Sequence, residues 1–555
     1  MQNAFSFTPL GGVGDVTKNM YLYEYGNEIL IVDCGLGFAD ETMLGVDLLL
    51  PDISSLLKAV QSGKRIVGML ITHGHEDHMG GLPFILPQLP DFPIFATPLT
   101  AALANEKLQE FQITRKLQPV AFEENKEVKL GNFSAQFIRV THSVPDTSHI
   151  FIKTPVGNFY HGSDYKFDLT PADGKKTDFQ KIVELSKQGV TCLFTDCLGS
   201  ERAGYTPSEA ELTKNFASEM RDCKGKFIVT TYSSNISRLN QAMEVAFSMH
   251  RKVCFVGRSL VKTTDVAKRL GLMKIPKGME IRMDQVKNTK PQEIMLVVAG
   301  SQGQENSALT RIANTIHRDI TISSSDVIVF SSDPIPGNEV NVNTLIDTLS
   351  KIGAKVVYSD ISDKFHVSGH GSSQDIMLLM ELVRPQNVLP ISGTYKHMVA
   401  YKKLAQKQGF SDSNIFLIED GQPVLFEKNS IRLGQKFPVR NIYVDEYSGE
   451  EIDKYVLVDR QKISQEGVVV IMTEIDSENG TLMGSPDIIA RGFANQDIEG
   501  VRKLLPQAIK TVLEQNKSTS KNWNFVRKLI SQTAEKVIQD KLHRRPLVLP
   551  VVIEV

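Results

Sequence analysis

The chain of 555 residues is short of cysteine. Its five thiols, Cys34, Cys192, Cys197, Cys223 and Cys254, are scattered, odd in number and nowhere spaced CxxC. That argues against a disulfide framework and a thiolate zinc site, and fits a reduced, cytoplasmic protein. Long apolar runs are missing too. None approaches the ~20 residues that span a bilayer, so no membrane insertion is expected. The opening "MQNAFSFTPLGG" has neither the basic start nor the apolar stretch of a signal peptide. Charge of one sign is also scarce. A net charge of −2 gives no global basic field, although a basic groove for nucleic acid remains compatible with it. Internal repeats and long low-complexity segments are absent. The stretch "GGVGDVTK" lacks the GK[ST] of a P-loop and its strand–loop–helix setting.

What is there exceeds one hydrophobic core, and about two to four domains are expected. The first ~200 residues alternate short β segments with glycine-rich turns. "MYLYEYGNEILIVDCG" reads as a hairpin turning near Gly26-Asn27. "RIVGMLITH", "FSAQFIRVTH" and "GNFYHGSD" read as strands running to His73, His142 and near Asp164. "PSEAELTKNFASEMRD" has helical periodicity, with Pro207 and Ser208 as its expected start. Over ~209–350, strand-like "KFIVTTY", "KVCFVG", "EIMLVVAG" and "DVIVFSS" alternate with helix-like runs, the pattern of a parallel sheet in a separate α/β unit. Polar residues dominate ~428–455, so a linker is expected there. The tail, with "YVLVDRQ", "GVVVIMTEI", the amphipathic "IEGVRKLLPQAIKTVLEQ" and a final strand "RPLVLPVVIEV", reads as a small α/β domain.

Residues 71–81, "ITHGHEDHMGG", concentrate three histidines and two carboxylates in six positions. Imidazole nitrogen with carboxylate oxygen suits zinc or manganese, and the lack of thiolate favours a catalytic site over a structural one. Gly74 lets His73 and His75 turn towards one ion. Asp77 and His78 fall on the next turn and can face a second ion. A carboxylate from elsewhere would bridge the pair.

HxHxDH followed by Gly80-Gly81 resembles the metallo-β-lactamase superfamily signature. The resemblance implies an αββα sandwich with the metal centre at one edge. It also implies His142, in "VTHSVPDTS", as a ligand of the first ion and Asp164, in "YHGSDYKFD", as the bridge. "LGGVGDVTKNM", "LGVDLLLPDISSL", "SERAGYTPSE", "IPGNE", "FHVSGHG" and "ARGF" together resemble the ribonuclease J family over nearly the whole chain. That family implies a bacterial RNA-degrading metallo-hydrolase, acting as a 5′-to-3′ exonuclease and an endonuclease in RNA decay and maturation. It also implies a β-CASP α/β insert and a C-terminal oligomerisation domain. The expected order is a lactamase part over 1–208, the insert over 209–355, the second lactamase part over 356–430, a linker over 431–455 and the tail domain over 456–555.

Carried over by the same resemblance, the "HVSGHG" turn (His366, Val367, Ser368, Gly369, His370) would hold an RNA phosphate, as a glycine-bearing turn with free N–H groups can. His370 would assist the chemistry, together with Asp77 and with Asp196 of "LFTDC". Ser233, Ser234 and Asn235 of "TYSSNISR" would take the terminal 5′-monophosphate; read without the resemblance, they form a polar βα loop. The pattern breaks at one place. Where the family has a last histidine for the second ion, "LPISGTYKHM" has Ser392. Up to two ions are expected, the second weakly held. His397, His149 and His161 are candidate substitutes, each better read as packing elsewhere. The departure resembles the weaker of two paralogues that act together in one complex. A weak nuclease and a near-inactive RNA-binding scaffold are both compatible with it. A homodimer or tetramer, and a hetero-oligomer with an active paralogue, are the expected partners besides RNA.

Overall fold

The computed structural model describes residues 4–40, 42–335, 338–359, 365–427, 430–445, 449–476, 481–516 and 522–555, with 495–498 as backbone only. Pro336 and Gly337 of the "IPGNE" stretch lie outside the described residues, as do parts of the expected linker. Two compact units form. One comprises the residues up to 38 with 48–442, the other 39–47 with 443–555.

In the first unit, apolar alternation produces two facing sheets. The larger sheet orders its strands Ser430–Leu433, Val424–Glu427, Phe5–Gly11, Met20–Tyr25, Glu28–Val32, Arg65–Ile71, Ile94–Ala96 and Gln118–Pro119. The smaller orders them Glu127–Leu130, Phe133–Arg139, Ser148–Thr154, Gly157–Gly162, Cys192–Asp196 and Asn387–Ile391. Phe5 and Phe7, alternate residues of Phe5–Gly11, enter the space between them. Phe5 stacks on Phe159 at 3.9 Å and Phe7 on Phe194 at 4.1 Å between ring centroids. Such stacked aromatic pairs join the sheets face to face. Helix Pro98–Glu110 packs Leu99, Leu103 and Leu108 with Ile31, Met69 and Ile71 of the larger sheet. Helices Phe179–Ser186, Ser373–Val383 and Tyr395–Lys407 pack Leu185, Leu379 and Leu404 with the core of the smaller one. This is the expected αββα sandwich.

The insert is a five-stranded parallel sheet, in the order Lys252–Val256, Ile294–Val298, Phe227–Thr230, Val327–Phe330, Lys355–Val357. Its strands are continuous apolar runs such as Ile294–Val298, buried at every position because helices cover both faces. The tail unit pairs strand Val468–Ile475 antiparallel with Asp487–Arg491 and parallel with Leu547–Glu554. Its core is built from Val469, Ile471, Leu505, Ile509, Ile530 and Ile538.

Several local expectations shift. The helix expected from Pro207 begins at Glu211. Residues 206–209 are spent on buried hydrogen bonds instead: Thr206 N–H donates to Asp375 and Glu209 N–H to Asp168. The run "YVLVDRQ" is helical, within Lys454–Glu466. Residues 430–433, expected as the edge of a linker, hydrogen-bond to Val424–Glu427 as a sheet edge. The three strands expected to run to His73, His142 and Asp164 stop at Ile71, Arg139 and Gly162. The site residues thus lie on the loops just beyond. No helix among the described residues is long and apolar enough to cross a membrane.

Candidate metal centre

Strand ends and the turn after Ile71 bring His73, His75, His142 and Asp164 together. The hydrogen bonds around each ring fix which nitrogen faces inward. Thr72 Oγ1 donates to the Asp33 carboxylate at 2.9 Å, so His73 Nδ1–H donates to Thr72 Oγ1 at 3.0 Å. His142 Nδ1–H donates to the Gly369 carbonyl at 2.7 Å, and His75 Nε2–H to Ser143 Oγ at 3.2 Å. The remaining lone pairs, on His73 Nε2, His75 Nδ1 and His142 Nε2, then point at one another. His75 Nδ1 lies 3.2 Å from His73 Nε2 and 3.1 Å from His142 Nε2. Gly369 is needed for this packing: a Cβ there would lie 2.6 Å from the His142 ring.

Three converging lone pairs repel unless a cation sits among them. Protons do not serve. Burial drives His73 and His142 well below the ordinary imidazole range and His75 down to about 3. Asp164 Oδ1 is buried and has no hydrogen-bond partner among the described residues. These residues therefore fit a divalent cation, as three neutral imidazoles and one carboxylate do in catalytic zinc sites.

Asp77, His78 and Asp164 form a second group, with Asp164 Oδ2 3.3 Å from His78 Nε2 and Asp77 Oδ2 3.6 Å from it. His78 Nδ1 bonds the buried Asp33 at 2.8 Å. Burial opposes a charge on His78, but Asp164, Asp77 and Asp33 draw its affinity for a proton upwards. Burial raises Asp77 to about 6. Ser392 lies beside this group, but its hydroxyl donates to Asn19 Oδ1 at 3.2 Å. His397 is turned away: its Nδ1 bonds Thr394 at the start of helix Tyr395–Lys407, and its Nε2 lies 3.6 Å from Glu201. His161 is buried between the sheets, bonded to Tyr23 at 2.7 Å, and His149 is buried on the other face of the smaller sheet, bonded to Tyr160 at 3.0 Å.

On the opposite side, His370 Nδ1 bonds Asp196 Oδ2 at 2.7 Å, and its Nε2 faces Asp164 Oδ2 at 3.9 Å. Burial disfavours the imidazolium, but Asp196 and Asp164 outweigh it and raise His370 to about 9. Such a group holds a proton at neutral pH. Ser368 Oγ accepts from His370 N–H at 3.1 Å. Asn235 caps helix Ile236–Ser248 by accepting from Arg238 N–H at 3.1 Å. Ser233 and Ser234 precede it, partly exposed.

The residue that joins these loops was missed in the sequence. Arg238 is 1% exposed. Its guanidinium pairs with Glu209 Oε2 at 2.5 Å and donates to the Ser331 carbonyl at 2.7 Å. It also reaches His366 Nδ1 and the Val367 carbonyl, both at 3.4 Å. His366, pressed down to about 4 by burial and by Arg238, faces Asp333 on its other side. Asp33, Thr72 and Ser143 were missed as well. Only Asp33, an acid ending the apolar run "EILIVDCG", carried a visible signal.

Comparison with known proteins follows the same division of the chain. Family models match for the metallo-beta-lactamase superfamily over 13–177 and the ribonuclease J beta-CASP domain over 224–349. The Zn-dependent metallo-hydrolase RNA specificity domain matches 354–417 and the ribonuclease J C-terminal domain 455–555. Ribonuclease J2 of Bacillus subtilis is 32% identical over 98% of both chains. Ribonuclease J 1 of Streptococcus pyogenes is 35% identical over 98% of this chain and 96% of its own. Ribonuclease J of Thermus thermophilus is 34% identical over 100% and 96%. A solved Enterococcus faecalis protein of unknown function shares the fold at 14% identity, with a TM-score of 0.54 over 76% of this chain and 100% of that one.

Proposed function

The chain belongs to the ribonuclease J family, and from that premise we propose that it is a metal-dependent ribonuclease of low activity that degrades RNA from the 5′ end and cuts it internally. The reading rests on one observation above all: three imidazole lone pairs converge within 3.2 Å beside the buried Asp164. His73, His75, His142 and Asp164 would hold one zinc or manganese ion. Asp77, His78 and Asp164 are left for a second, and Ser392 supplies no imidazole to it.

A divalent cation held there would supply Lewis acidity towards a phosphodiester. The chain's own groups do the rest. The turn His366–His370, with the Ser368 hydroxyl and its backbone N–H groups, positions the scissile phosphate. Ser233, Ser234 and Asn235 receive the 5′-monophosphate. His370, charged through Asp196, holds the proton that the leaving oxygen needs. Low activity follows from the missing fourth ligand of the second group, since a hydroxyl binds such ions poorly. The protein would then act in the bacterial cytoplasm beside an active paralogue, the tail unit supporting dimers, tetramers or the mixed complex.

Ser392 equally favours a second reading, a near-inactive RNA-binding subunit that stabilises the active partner. Degradation of 5′-monophosphorylated RNA by the purified chain with manganese separates the two, with Asp164→Ala as control. Mononucleotide release that disappears in the control supports the nuclease. Equal release from both proteins leaves the subunit.

A further inference from the structure

The parallel sheet of the insert has one place where its strand order changes direction. Strand Phe227–Thr230 lies beside Val327–Phe330. The chain leaves the first for Lys252–Val256 at one edge and the second for Lys355–Val357 at the other. Open α/β sheets bind ligands in the crevice outside the strand ends at such a point. Ser233, Ser234 and Asn235 follow the first strand, and Ser331, Ser332 and Asp333 follow the second. A carboxylate thus ends one wall of a crevice whose other wall is read above as taking a phosphate.

The main chain of Asp333 is pinned. Its carbonyl accepts from the Tyr232 hydroxyl at 2.7 Å and from Gln302 Nε2 at 3.0 Å. The side chain is held far less. It is 43% exposed, and its buried Oδ1 has no hydrogen-bond partner among the described residues. Oδ2 lies 3.3 Å from His366 Nε2. The other ring nitrogen, Nδ1, faces the Arg238 guanidinium at 3.4 Å. A guanidinium offers hydrogens and no lone pair, so Nδ1 is the bare nitrogen and Nε2 carries the N–H. His366, held down to about 4 by burial and by Arg238, is neutral at pH 7. The contact is one neutral N–H facing a carboxylate rather than an ion pair, and a phosphate oxygen can displace it.

We propose that Asp333 competes with an RNA phosphate for the Nε2–H of His366 and so lowers the affinity of this crevice for RNA. The proposal rests on the reading above that the turn His366–His370 holds an RNA phosphate. It adds a cause of low activity that lies outside the metal ligands. Carboxylate and phosphate oxygens accept the same hydrogen, and one N–H serves one of them at a time. With Asp333 in place, an incoming phosphate meets a donor already engaged and a charge of its own sign.

The test is RNA binding by the full-length chain in manganese. The probe is a 3′-labelled, 5′-monophosphorylated single-stranded RNA with phosphorothioate linkages, which resists cutting, and the readout is fluorescence anisotropy. Asp333→Asn is expected to tighten the dissociation constant about fivefold, the size of one partly exposed charge contact. In a His366→Ala background the same change is expected to gain less than about twofold, because the contested N–H is gone. An equal gain with and without His366 would mean plain repulsion of a polyanion and would overturn the proposal. An Asp333→Asn affinity within about twofold of native, or below it, would overturn it too. Weaker binding of RNA but not of the same DNA sequence would make Asp333 an acceptor of a ribose hydroxyl instead. A probe bound by none of the four chains would overturn the reading of the crevice itself. Should His366→Ala fail to fold, His366→Phe keeps a ring without the N–H and takes its place in the cycle.

Discussion

Replacing Arg238 by methionine removes the charge at the junction of the insert, the loop 365–370 and the buried Glu209. Met fills most of the volume, so the loss is polar rather than a cavity. Breaking a buried ion pair by deleting one partner costs about 3–5 kcal/mol, because the other charge stays buried. Here Glu209 keeps Lys166 at 3.2 Å, which places the cost at the lower end, about 3 kcal/mol. The Ser331 carbonyl also loses its 2.7 Å donor. Tryptophan fluorescence would miss this, since the only tryptophan, Trp523, lies in the tail unit. Hydrogen exchange of helix Ile236–Ser248 reports on it directly. A loss of about 3 kcal/mol speeds exchange limited by opening about 150-fold, at 1.4 kcal/mol per tenfold. Arg238→Lys keeps the charge but not the fork and should recover part of the loss. Exchange of Arg238→Met within fivefold of the native rate would refute the junction as a stabilising element.

Three further outcomes are expected. Stripping divalent cations should destabilise the first unit by about 3 kcal/mol relative to a cation present at 100 times its dissociation constant, read as a shift in urea midpoint; an unchanged midpoint would mean that the first group binds nothing in the folded state. Burial raises Asp420 to about 7 against the pull of Lys18, so its folded affinity for a proton exceeds its unfolded one. The stability it gives is therefore fully present below about pH 4 and lost as pH rises through about 7; Asp420→Asn should raise the melting temperature more at pH 8 than at pH 5, and an equal shift at both would count against it. Gly12→Ala forces a Cβ to within 2.2 Å of Asn19 Oδ1 at a positive φ and should cost at least about 2 kcal/mol in denaturant unfolding, whereas Gly14→Ala, where a Cβ meets nothing within 4 Å, carries only the backbone strain.

The comparison of Asn19 with His73 indicates what a sequence can reveal about such a site. His73, His75 and His78 stand within six residues of one another, and a dense run of one donor chemistry is improbable enough to be read directly. The hydrophobic alternation around them fixed which loops they would occupy to within two or three residues, since a strand's end is set by its last paired hydrogen bond. Asn19, Asp33 and Arg238 act through partners far along the chain: Ser392 is 373 residues from Asn19, and His366 is 128 from Arg238. Nothing local distinguishes an asparagine in "TKNM" that is buried beside His78 from one that caps a turn. Arg238 lies inside the quoted "TYSSNISR", yet its neighbours drew attention to the serines, because a polar loop suggests a phosphate and a helical arginine suggests solvent. Ser392 was legible only as a departure, a missing imidazole. Its positive φ of +52° and its hydroxyl bond to Asn19 Oδ1, 373 residues away, give it a structural part that no local pattern could show.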